Sequence, residues 1–200
     1  MSFDPVPVTL KGRHVIVEPL ALRHAGDLHA AGANKEIWRY MPIPPPESLD
    51  DTKRWINDAL RTAEGGMQIP FAIVSAPSRT AVGSTRFLDI QRENSSLEIG
   101  WTWLGKEYQR TAINTECKYL LLEHAFEHLK AIRVQLKTDG RNLQSQKAIE
   151  RIGASREGTL RKHRRNWDGF IRDTVYFSIV DAEWPAVKTH LIELVSAFHE

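Results

Sequence analysis

The sequence predicts an α/β fold, a central mixed sheet flanked by helices. Three observations carry that prediction. Apolar residues recur with period two in some segments and with helical spacing in others, and the two kinds interleave along all 200 residues. Three strand-like segments in the middle follow one another through short turns, as an antiparallel meander does, whereas later ones alternate with helices. The composition, 42% hydrophobic and 26% charged, supplies apolar residues enough for a core.

The elements follow in order. In "RHVIVEPLALRHAGDL" the alternation at Val15 and Val17 predicts a strand that Pro19 ends. From His24, the spacing of Ala25, Leu28 and Ala31 suits a short helix. The proline cluster 42–46 is a loop, and Ser48, followed by Asp50 and Asp51, starts a helix that Gly65 and Gly66 end. "MQIPFAIVS", "SRTAVGSTRFLDIQ" and "LEIGWTWL" (97–104) form the meander. A helix over 114–129 buries Cys117, Leu121, Leu122, Ala125, Phe126 and Leu129.

A strand at 132–139 then carries Ile132, Val134 and Leu136 on one side, and a helix at 142–153 ends at Gly153. Two strands surround the turn Trp167-Asp168-Gly169, and a terminal helix spans 182–199. The predicted order is β-α-α-β-β-β-α-β-α-β-β-α. No repeat or linker interrupts it, so residues 1–200 are expected to form one domain with its core at about 10–185.

A net charge of +2, from 27 basic and 25 acidic residues, favours neither a nucleic acid nor a membrane as partner. No apolar run reaches the length of a membrane span and the first residues lack a signal-peptide core, so the expected location is cytoplasmic. Cys117 is the only cysteine, which excludes an internal disulfide, and it is expected in the core. His124 and His128 are four apart without a zinc-protease glutamate, so no metal is expected. The run Arg161-Lys162-His163-Arg164-Arg165 reads as a solvated hairpin or as a contact for an acidic acceptor or RNA phosphate.

The most informative stretch is "KEYQRTAINTECKYLLLEHAF", residues 106–126. Small polar residues lead directly from the strand 97–104 into an amphipathic helix. Such a strand, turn and helix start bind anions, because the first helical turn has free N–H groups. Within the strand, alternation assigns Glu98, Gly100, Thr102 and Leu104 to one face and Leu97, Ile99, Trp101 and Trp103 to the other. A carboxylate on a central, mostly apolar strand is poorly solvated, which raises its pKa and suits it to proton abstraction. The competing reading of Glu98 is an ion pair with a neighbour such as Arg86.

Three ordered motifs stand out. The first is Glu98, Ile99, Gly100, Trp101, Trp103 and Leu104, followed by Thr115, Glu116 and Cys117. The second is Arg141, Asn142, Ser145, Gly153 and Ala154, and the third is "EGTLRKHRRNWDGFIRDTVYFSIVDAEW". With the element order, they resemble the GNAT acyl-CoA N-acyltransferase superfamily, more closely its RimJ/RimL-like branch.

That resemblance implies a GNAT-like fold and an acetyl-CoA-dependent N-acetyltransferase that moves an acetyl group directly to a primary amine, either a protein N-terminus or a small amine. It implies a pyrophosphate held by the loop Gln109, Arg110, Thr111, Ala112, Ile113, Asn114 and Thr115. Thr102, Trp103 and Leu104 would meet the thioester through main chain, and Asn142 the pantetheine arm. Glu98 is the implied base. Ser145 is the implied proton donor to the thiolate, because the usual tyrosine position is Ile149.

The loop departs from the pattern, with Arg110 and Ala112 where the branch often has glycine. Glycine matters there if φ is positive or if the ligand presses on Cα. Arg110 adds a charge-assisted contact to a phosphate. Two other readings stay open: a non-catalytic acyl-CoA sensor, encouraged by the missing tyrosine and glycines, and a nucleic-acid-binding module using 161–165. Relatives of this kind are often homodimers.

Overall fold

The structure is a computed structural model and describes residues 3–199. Eight strands make one sheet in the order β1-β2-β3-β4-β5-β6-β8-β7. They are β1 (Leu10–Lys11), β2 (Val15–Pro19), β3 (Gln68–Ser75), β4 (Ala81–Gln91), β5 (Ser96–Leu104), β6 (Arg133–Asp139), β7 (Ser155–Arg165) and β8 (Ile171–Val180). All neighbours are antiparallel except β5 and β6, which are parallel. The helices are α1 (Ala25–Ala31), α2 (Leu49–Ala63), α3 (Ala112–Glu123), α4 (Leu143–Arg151) and α5 (Trp184–Ser196). None of them is long and apolar enough to cross a membrane.

Two apolar layers sandwich the sheet. On one side α3, α4 and α5 pack Cys117, Leu121, Ile149 and Leu191 against Ile99, Leu136 and Phe177. On the other, α1 and α2 bring Leu28, Trp55 and Ile56 against Ile16, Ala72 and Trp103. Trp38, from the segment between α1 and α2, packs edge-on against Trp55 and tilted against Trp103 at centroid distances of 6.5 and 5.0 Å, and Trp55 and Trp103 also meet edge-on at 6.0 Å. This packing brings the loop at residues 39–42 to the end of β5.

Local signals account for most boundaries. Ser48 caps α2 and Asp51 reaches back to the Ser48 N–H, a reciprocal cap that satisfies two otherwise unpaired donors. Gly153 takes φ +91° just beyond α4, where a side chain would be strained.

Four details differ from the sequence expectation. A two-residue strand, β1, precedes the first predicted one and is too short to show a period. Helix α3 starts at Ala112 instead of 114, because Thr111 caps it. After Glu123 it widens into a π-helical turn, His124–His128, closed by Leu129 N–H donating to the His124 carbonyl. Ile132 sits outside β6 and is exposed, while Val134 and Leu136 are buried as expected.

Glu116 ties α3 to the N-terminal hairpin. Its buried carboxylate accepts the backbone N–H groups of Arg13, His14 and Val15 at 2.9, 2.6 and 2.9 Å. A Cβ on Gly12 would lie 2.5 Å from the Glu116 Cδ, so the β1–β2 turn closes onto α3 only with glycine there. Charge-assisted hydrogen bonds contribute about 1.5–3 kcal/mol each. Glu116→Ala should therefore lower unfolding stability by about 3 kcal/mol or more, and Gly12→Ala should destabilise through the same contact; urea denaturation checks both.

Candidate active site

Strands β5 and β6 pair only at Ser96–Glu98 with Arg133–Gln135, yet β5 continues to Leu104 and β6 to Asp139. Beyond Glu98 the two strands part. A bulge contributes to the parting. Arg86 pairs with Gly100 and Ser84 with Trp103, so Trp101 and Thr102 together oppose Thr85. Trp101 takes φ +52°. An extra residue bends and twists its strand, here away from β6.

The bulge also overturns the expected alternation. Leu97 and Ile99 face the α3 layer, but so does Leu104, while Trp103 faces the α1–α2 layer. Leu104 thus leaves the Glu98 face and Trp103 leaves the Leu97 face, because the inserted residue shifts the period by one. A cavity of about 820 Å³ fills the gap between the parted strands. Its walls are Ile99–Leu104, Leu136–Asp139, the starts of α3 and α4, and Tyr40–Pro42.

Thr102 lines this cavity with its side chain engaged. Lys118 Nζ donates to Thr102 Oγ1 at 2.7 Å, Thr102 and Thr85 share a hydroxyl contact of 2.8 Å, and Thr85 Oγ1 donates to the Gly100 carbonyl at 3.4 Å. Since the ammonium only donates, the proton sequence runs one way, from Lys118 to Gly100. The Gly100 carbonyl thereby points at β4. In a trans peptide the Trp101 N–H points the opposite way, into the gap.

The start of α3 closes one end of the cavity. Gln109, Arg110, Thr111 and Asn114 line it, with Lys147 and Arg151 from α4 alongside. Ala112 and Ile113 are buried, and the Thr115 hydroxyl accepts a 2.7 Å hydrogen bond from Arg151. Those three offer a ligand main chain at most. Arg110 sits at φ +62°, the conformation that glycine adopts freely and that costs another residue about 1 kcal/mol. Ala112 is inside the helix, where a methyl group is no obstacle. The two missing glycines thus have different consequences: strain at Arg110 and none at Ala112. A helix start flanked by Arg110, Lys147 and Arg151 suits the phosphates of a nucleotide.

Glu98 is buried, and its partner is not Arg86. Lys137 Nζ lies 2.6 Å from Glu98 Oε2, which also accepts from Gln135 Nε2 at 3.0 Å. Arg86 instead donates to Gln68 and lies over the Trp101 ring, 4.1 Å from its centroid, with burial pulling its pKa down to about 10. Alternation in β5 could not show that β6 supplies the charge. A Cβ on Gly100 would lie 2.7 Å from Glu98 Oε1, so glycine makes room for the carboxylate.

Comparison with known proteins decides the family. Residues 14–155 match the acetyltransferase (GNAT) domain model. The chain belongs to the GNAT acetyltransferase family. It is 24% identical over 176 residues to the uncharacterized N-acetyltransferase p20 of Bacillus licheniformis, covering 88% of this chain and 98% of that protein. A GCN5-related N-acetyltransferase from Brucella melitensis superposes with a TM-score of 0.90 at 28% identity, over 96% of this chain and 87% of the other. Mycobacterium smegmatis RimJ, solved with CoA-disulfide, shares the fold with a TM-score of 0.82 at 19% identity, over 94% and 95% of the chains.

In this acetyltransferase Ser145 and Asn142 both line the cavity. Asn142, not Ser145, is the cap of α4: its side-chain oxygen accepts the Ser145 N–H at 3.0 Å. Cys117 is fully buried in the core and burial pushes its thiol up to about 11, which disfavours a nucleophilic thiolate. The basic run 161–165 is not one patch. Arg164 lines the cavity, whereas His163 turns to Thr174 at 3.0 Å.

Lys118, Lys137, Asp139 and Arg172 line the cavity and were not singled out from the sequence. Lys118 did carry a signal, being one turn after Asn114 on the same helical face. It is 6% exposed, and burial draws its pKa from 10.5 to about 8. The unfolded chain binds more protons between those two values, so stability rises with pH across the window. Below pH 8 the folded enzyme bears the full cost of the buried charge, about 3 kcal/mol. Lys118→Met should therefore melt higher than the wild type at pH 7, with the difference shrinking as pH passes 10; paired melting curves at the two pH values check this.

Proposed function

We propose that this acetyltransferase uses acetyl-CoA and passes the acetyl group directly to a primary amine inside the parted β5–β6 strands. The observation that carries the reading is the gap itself. It exposes unpaired strand edges and joins a helix start rich in positive charge to a polar recess on the opposite face of the sheet. The CoA phosphates would lie at residues 109–114 with Arg110, Lys147 and Arg151. The Trp101 N–H supports the reading as a donor to the thioester carbonyl, held in direction by the Lys118–Thr102–Thr85 chain. A preoriented donor at developing negative charge is a large source of rate acceleration.

In the transfer, the amine nitrogen forms a bond to the carbonyl carbon and the carbon–sulfur bond breaks. The amine loses a proton and the thiolate gains one. Glu98 takes the amine's proton, directly or through one water; Lys137 and Gln135 hold Oε2 and leave Oε1 for this task. Ser145 is the donor to the thiolate, supported by its place on the cavity wall and by a hydroxyl that is not spent on capping.

Two variants test these roles. Glu98→Gln should reduce kcat/KM most at low pH, where the acceptor is mainly ammonium, and least at high pH. An unchanged pH profile would make Glu98 a partner of Lys137 only. Saturating CoA, at about a hundred times its Kd, should stabilise the protein by about 2.7 kcal/mol. Ser145→Ala should keep that stabilisation while turnover falls; loss of both together would assign Ser145 to binding.

A further inference from the structure

The acceptor end of the cavity lies on the sheet face away from α3 and α5. Register places Glu98 beside Gln135, Lys137 beside Tyr176, and Asp139 beside Thr174, with Arg172 next along β8. Both carboxylates in this row already have a cationic partner. Glu98 pairs with Lys137 at 2.6 Å. Asp139 is held by Arg141 through Nε at 3.0 Å, Nη2 at 2.8 Å and the backbone N–H at 2.9 Å. Arg141 in turn lies 3.4 Å from the centroid of the Phe170 ring, which fixes its plane.

Arg172 is not held in this way. It is 7% exposed, and among the described residues its one hydrogen bond runs from Nε to Thr174 Oγ1 at 3.0 Å. Asp139 and Glu98 act on it only through space, and burial still draws its pKa down. Among the described residues no carboxylate forms an ion pair with it. Arg172 nevertheless lines the cavity, and its strand partner Arg164 lines it too, from an exposed position. A mostly buried guanidinium whose terminal nitrogens make no hydrogen bond among the described residues and face a cavity is well placed to receive an anion. The surroundings are electropositive as well. His163 is shifted down by burial first and then by Arg164, Lys137 and Arg172, against a smaller opposing effect of Glu98.

We propose that Arg172, with Arg164 at its mouth, binds an anionic oxygen group of the acceptor, so that the amine acetylated here also bears a carboxylate or a phosphate. The proposal rests on the acetyl-transfer reading above. A planar guanidinium presents two parallel N–H donors to such a group and fixes its orientation. The CoA phosphates are not the intended occupant, because Arg110, Lys147 and Arg151 serve them at the α3 and α4 end.

Product analogues test this without turnover. In the presence of CoA, calorimetry would compare N-acetylglycine, N-acetylglutamate and N-acetylphosphoethanolamine with glycine N-acetyl amide, N-acetylglutamine amide and N-acetylethanolamine. At least one anionic member should bind about tenfold or more tighter than its neutral counterpart, and the better of the carboxylate and phosphate arms names the group. Arg172→Gln should abolish that preference while CoA still raises the melting temperature, and Arg172→Lys should restore part of it. Equal binding of every charged and neutral pair would overturn the proposal. A preference that survives Arg172→Gln, or a loss of CoA binding in that variant, would do the same. If CoA fails to stabilise the wild type while the Arg172-dependent preference persists, the acetyl-transfer reading fails and the anion subsite stands.

Discussion

Strands β5 and β6 are hydrogen-bonded neighbours for three residue pairs and then separate, and the cavity is the space that this separation leaves. A sheet interior normally satisfies its own backbone donors and acceptors. Here two strands in the middle of an eight-stranded sheet do not satisfy each other beyond Glu98, and their free backbone groups border the cavity. The bulge at Trp101 and Thr102 is the local device. It bends β5 and turns a peptide N–H toward the gap, and it reverses which residues face each helical layer.

Several buried polar contacts make sense around that opening. The Lys118–Thr102–Thr85 chain reaches the Gly100 carbonyl and fixes the peptide group at the bulge. Its cost is a lysine held in the interior, where burial opposes its charge. Gly100 performs a second service by leaving space for the Glu98 carboxylate. Glu116, one helical turn from Ala112, anchors α3 to the β1–β2 turn and so holds the helix start at the mouth of the gap.

The two faces of the sheet divide the labour. The α3–α4 side gathers Arg110, Lys147 and Arg151 around a helix start. The other side presents alternate residues of β5, β6 and β8 as a polar row that α1 and α2 do not cover. Its charges pair closely along the row until Arg172, a buried cation that lines the cavity without a close ion pair among the described residues.

Much of the fold was legible in the sequence because it depends on local chemistry. Periodicity in 114–129, the cap at Ser48 and the glycine after α4 act over a few residues, and they place α3, α2 and α4 to within a few residues of their observed ends. Of the motif residues, Gln109, Arg110, Thr111, Asn114, Asn142 and Ser145 also reach the cavity. Only the tertiary structure decided how β5 faces its neighbours, since a period of two carries no sign of one inserted residue. Only it could pair Glu98 with Gln135, 37 residues away, and with Lys137 instead of Arg86. The strand register and the parting that follow from long-range packing bring Lys118 and Arg172 into one cavity. No spacing along the chain encodes that meeting, because it is set by which strands lie side by side.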